Sequence, residues 1–67
     1  MKLIKKYTAE ISTNGNGFLR LELENGEVIG GIIFTSPANF SAVCSMLNHG
    51  KVYYEFSNDN HNFISTQ

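Results

Sequence analysis

The stretch Phe18-Leu-Arg-Leu-Glu-Leu-Glu-Asn-Gly-Glu-Val-Ile-Gly-Gly-Ile-Ile-Phe-Thr35 decides the fold, because alternating apolar residues flank the pair Asn25-Gly26. Both residues of that pair tolerate positive φ, so it reads as a two-residue type I′ turn and the stretch as a β-hairpin. With Glu24 opposite Glu27, Leu23 meets Val28, Leu21 meets Gly30 and Leu19 meets Ile32, which turns Val28, Gly30, Ile32 and Phe34 inward. Ile29, Gly31 and Ile33 then face outward, with Phe18 directly opposite Ile33. Glycines in mid-strand need a reason, and the expected one is a helix packed closely over Gly30. A bulge at Gly30-Gly31 would instead turn part of the strand over. A phosphate-binding role would require a helix N-terminus directly after the glycines, and strand residues follow.

Working outward toward the N-terminus, Lys5 to Thr13 alternates as a half-buried strand with Tyr7, Ala9 and Ile11 on one face. A three-residue loop pairing Thr13 with Gly17 sets Ile11 against Leu19, Ala9 against Leu21 and Tyr7 against Leu23. The same register predicts outer charge pairs between Glu10 and Arg20 and between Lys6 and Glu24.

Toward the C-terminus, Ser36-Pro37 reads as an N-cap followed by the first helical residue. Phe40, Val43, Cys44 and Leu47 then form one apolar helical stripe, and His49-Gly50 ends it. Lys51 to Ser57 returns to strand alternation with Val52, Tyr54 and Phe56 facing the core. After the polar loop Asn58 to Asn62, Phe63 to Thr66 pairs back as a fifth strand, with Phe56 opposite either Ile64 or Phe63. The expectation is a single α+β domain over residues 1–67, a small antiparallel sheet of order β-β-β-α-β-β with one helix packed on one face.

A chain of 67 residues buries only about 60% of the surface its unfolded form exposes, so it needs a supplement to its core. The lone Cys44 excludes an intrachain disulfide, and two scattered histidines suggest no metal. Self-association remains. The net charge of -1 lacks the basic footprint of a nucleic-acid binder, and no run approaches the roughly 20 apolar residues of a membrane span. The N-terminus has lysines but no signal-peptide apolar run, and a single thiol suits a reducing compartment, so the cytoplasm is expected.

No catalytic, cofactor-binding or metal residue is expected. Glu22, Glu24 and Glu27 read as a charged edge that resists aggregation. The loop Asn58 to Asn62 supplies a single carboxylate, too few for a calcium loop. The apolar stripe makes Cys44 a small buried hydrophobe, and a thiol enzyme pairing it with His49 or His61 is the third-ranked reading. The interface candidates are Phe18, Ile29, Ile33 and Tyr53. They support a non-enzymatic module that forms a homodimer or higher homo-oligomer and binds a protein or small ligand through a sheet face or an intersubunit groove. The alternative is a single-stranded nucleic-acid-binding sheet using Phe18 and Tyr53 with Lys6 and Arg20.

Overall fold

The computed structural model describes residues 1–66. Its elements are β1 (Lys2–Ile11), β2 (Gly17–Leu23), β3 (Val28–Phe34), α1 (Pro37–Leu47), β4 (Tyr53–Phe56) and β5 (Asn62–Ser65). They form the α+β fold expected, one five-stranded antiparallel sheet of spatial order β3-β2-β1-β4-β5 with the helix packed on β3. Three hairpin-connected strands followed by a fourth that returns beside the first make a Greek key, and β5 adds outside β4. Among the described residues no helix is long and apolar enough to cross a membrane.

The three hairpins share one turn. In each, the first ladder residue accepts an N–H bond from the third loop residue: Gly15 to Ser12 (3.0 Å), Gly26 to Leu23 (3.0 Å) and Asn60 to Ser57 (3.2 Å). The same first residue donates its own N–H across the closed end, to Asn16, Glu27 and His61 at 2.8, 2.8 and 2.9 Å. The third loop residue is left-handed in every case, with φ of 96°, 91° and 62°. This is the three-residue hairpin loop in which a turn is followed by a left-handed residue.

The shared turn corrects all three expected registers. The first loop has the expected length but sits one residue earlier, so Ala9 meets Leu19, Tyr7 meets Leu21 and Lys6 meets Glu22. That shift is even, and the faces survive. In the second hairpin the extra loop residue shifts the register by one, so Leu21 meets Ile29 and Glu22 meets Val28. Ile29 therefore turns inward and Val28 outward, the reverse of the expectation. In the third hairpin Tyr54 meets Ile64 and Phe56 meets Asn62, neither of the two registers expected.

Two bulges then restore order. Gly30 and Gly31 together oppose Arg20, with Gly31 at φ 75°, after which Leu19 meets Ile32 and Phe18 meets Ile33 as expected. Close packing at Gly30 does not occur, since a Cβ there would meet nothing within 4 Å. Gly17 is the close approach instead, where a Cβ would fall 2.5 Å from the Phe40 ring. In β1, which begins at Lys2 rather than Lys5, the extra residue is Lys5, between Ile4 opposite Leu23 and Lys6 opposite Glu22. A bulge bends its strand, and β1 goes on to pair with β4 through Lys2–Tyr54 and Leu3–Tyr53.

The core is built on β2, whose Leu19, Leu21 and Leu23 are at most 1% exposed. Ile32 and Tyr54 complete the central cluster, and Ile4, Tyr7, Ile29, Phe34, Val43, Leu47 and Ile64 pack against it. The helix starts as expected: the Ser36 hydroxyl caps it, accepting from the Asn39 N–H at 3.3 Å, and Pro37 follows. Its apolar stripe is only half-buried, Cys44 included, and no helical residue is fully buried. Phe40 reaches over Gly17 to the Phe34 ring, with centroids 5.4 Å apart. At the other end the Tyr7 hydroxyl donates to Asn48 Oδ1 (2.5 Å).

In a flat sheet β3 and β5, four strands apart, would be separated by about 19 Å. Yet Ile32 and Phe34 of β3 share one cleft with Phe63 and Ile64 of β5. The sheet is curled into a partly open barrel, with a seam where the edges of β3 and β5 face each other.

Candidate functional site

The outward face of β1, β2 and β3 carries Phe18 opposite Ile33 on one side and Glu10 on the other. Phe18 is half-buried, while Ile33 keeps 60% of its surface exposed. Further along, Arg20 lies between Thr8 and the Gly30-Gly31 bulge. Glu22 then receives both Lys6 (3.5 Å) and Lys5 (3.7 Å). The expected pairs of Lys6 with Glu24 and Glu10 with Arg20 do not form, because the first hairpin register differs by two.

Of the four interface candidates, only Phe18 and Ile33 are adjacent. Ile29 packs against the core cluster. Tyr53 is half-buried and pairs with Leu3 and Ser65 on the other wing of the sheet. Glu10, the partner of Phe18, stands seven residues along β1 from Leu3, the partner of Tyr53, a separation of roughly 23 Å at strand rise. Phe18 and Tyr53 do not form one stacking platform.

The seam cleft, about 430 Å³, is floored by Ile32, Phe34, Val43 and Ile64. Ile33 and Phe63 form its lips, 60% and 55% exposed. The His61 ring lies 6.4 Å from that of Phe63 at the mouth. Sequence reading does not reveal this cleft, because it depends on how far the sheet curls. The one signal is the doubled polar pair Lys5-Lys6 between inward Ile4 and Tyr7, which marks the bulge that bends β1.

A second cavity, about 370 Å³, opens between Met1, Lys2, Glu27, Ile29, Tyr54, Glu55 and Phe56. Two of its three charged residues pair: Lys2 Nζ lies 2.8 Å from Glu27 Oε1 and holds the Glu27 carboxyl below its usual range, while the third is Glu55. Burial, then the nearby Glu27 carboxylate, pushes the Tyr54 hydroxyl up, and that hydroxyl donates to Asn62 Oδ1 at 2.6 Å.

Cys44 is half-buried within the helix, whereas His49 lies past the helix end at Leu47 and is exposed. His49 Nδ1 instead lies 2.6 Å from the Ser45 carbonyl. Among the described residues no three His, Cys, Asp or Glu side chains gather as metal ligands. No protein-family model matches the chain, and no curated protein or solved structure matches it.

Proposed function

We propose that the protein is a small non-enzymatic binding module that self-associates. The observation that carries this reading is the shortage of burial. The helix has no fully buried residue, and Ile11, Val28, Ile33, Phe56 and Phe63 are each 47 to 66% exposed. Fully covering one such side chain contributes about 1.5–3 kcal/mol, a large fraction of the stability of a domain this size. The lone thiol, Cys44, fits a reducing compartment, and the cytoplasm is the proposed location. Light scattering tests the reading: a dimer or higher oligomer is expected, and a monomer at high micromolar concentration overturns it. Native mass spectrometry of protein purified from its own host would then name any further ligand by mass.

A second reading has its own support. Oligonucleotide- and oligosaccharide-binding barrels are built as partly open five-stranded Greek keys that use the face of strands two and three. That is an analogy of fold, not of site. On this face Arg20 is exposed beside Phe18, and two lysines share the single carboxylate of Glu22. Binding of a single-stranded oligonucleotide should then fall steeply with salt and weaken on Arg20→Ala. The absence of any salt-sensitive complex removes this reading.

A further inference from the structure

We infer that a second copy of this chain docks on the seam between β3 and β5, an inference that rests on the self-association proposed above. Area is the first argument. A compact monomer of 7.5 kDa exposes about 4,250 Å², whereas this chain exposes 4661 Å². A stable dimer withdraws about 800 Å² per partner, which is roughly one side of a molecule measuring 33 × 27 × 20 Å.

The seam is the side that offers such a contact. Its two lips, Ile33 and Phe63, are both exposed large apolar residues, and Phe18 extends the patch beyond Ile33. Both flanking strands are terminal in the sheet order, so each presents a row of backbone groups with no ladder partner. Beyond the Gly30-Gly31 bulge the edge of β3 runs regularly from Ile32 to Phe34.

Charge points to a second copy as the occupant. Among the described residues no Asp, Glu, Lys or Arg lines the seam cleft, whereas Lys2, Lys5, Lys6, Glu22 and Glu27 are engaged in ion pairs elsewhere. A two-fold interface brings each patch against its own image, so any charge near the axis meets its like. A patch without these four residue types, with apolar lips and with Asn60, His61 and Asn62 as its polar lining, is self-complementary in this sense.

Sedimentation velocity across a concentration series tests the inference on the wild type, Ile33→Lys, Phe63→Lys and, as a control on the exposed apolar residue of β3 before the bulge, Val28→Lys. The expected result is a dimeric wild type and Val28→Lys, with both seam variants shifted to monomer and retaining the wild-type circular dichroism. A dimer that persists in both seam variants but dissociates on Val28→Lys overturns the seam while leaving self-association standing. A monomeric wild type overturns both. Should the lysine variants fail to fold, amide hydrogen exchange of the wild type at low and high concentration gives the answer without mutation. Protection gained at Ile32–Phe34 and Asn62–Ser65 is expected, and protection gained only elsewhere overturns the inference.

Discussion

Gly17 and Phe40 show how a single missing side chain positions the helix. Phe40 occupies the place that a Cβ on Gly17 would take, with ring carbons 2.5 to 2.7 Å from that point. Gly17→Ala should therefore destabilise by about 1–3 kcal/mol through overpacking, measured by chemical denaturation. In a Phe40→Ala background the same change should cost far less, since the clashing ring is gone. The Lys2–Glu27 pair makes a pH prediction. Lys2 lowers the Glu27 carboxyl from its ordinary 4.5, so the stabilisation is present above that value and is lost as pH falls through the lowered one. Glu27→Gln should narrow its stability gap to wild type on acidification. Added salt should narrow it at neutral pH, because both groups are exposed.

At the scale of elements, the bulge at Gly30-Gly31 lets one strand bury Ile29 near its turn and Ile32 and Phe34 beyond it. Gly31 holds φ 75°, so Gly31→Ala should cost about 1–2 kcal/mol even though its Cβ would meet open space. Thermal or urea denaturation checks this. The type and order of every element were legible in the sequence, because alternation marks strands and Ser36-Pro37 marks a helix start. Loop length was not. An Asn-Gly pair fits a two-residue loop or the last two positions of a three-residue loop, and the choice flips the faces of Val28 and Ile29. The bulges left a trace that alternation alone misreads: Ile4-Lys-Lys-Tyr7 and Ile29-Gly-Gly-Ile32 each set two residues between inward neighbours. Of the candidate site, the Phe18–Ile33 pair was legible because the bulge returns the strand to the expected register there. The seam was not, since no local pattern encodes how far a five-stranded sheet closes.

For the molecule as a whole, stability and association are one quantity if the seam is covered by a second copy. Mass action then makes the melting temperature rise with protein concentration. Differential scanning calorimetry should show this dependence in the wild type and its loss in Ile33→Lys. Equal melting temperatures for the wild type at all concentrations would mean that the exposed apolar residues stay in water.

The strand β1 also sets the order in which the molecule can assemble. Its C-terminal half pairs with β2 across a short loop, Thr8 opposite Arg20, while its start pairs with a strand some fifty residues on, Leu3 opposite Tyr53. Closing the longer loop costs about 1.3 kcal/mol more in chain entropy, for two ladder pairs in return. The three-stranded meander can therefore form the folding nucleus, and the β4–β5 hairpin adds to it late. Truncating Leu21 should then slow refolding, whereas truncating Tyr54 should chiefly speed unfolding. The two ends of one strand would thus belong to opposite sides of the folding barrier.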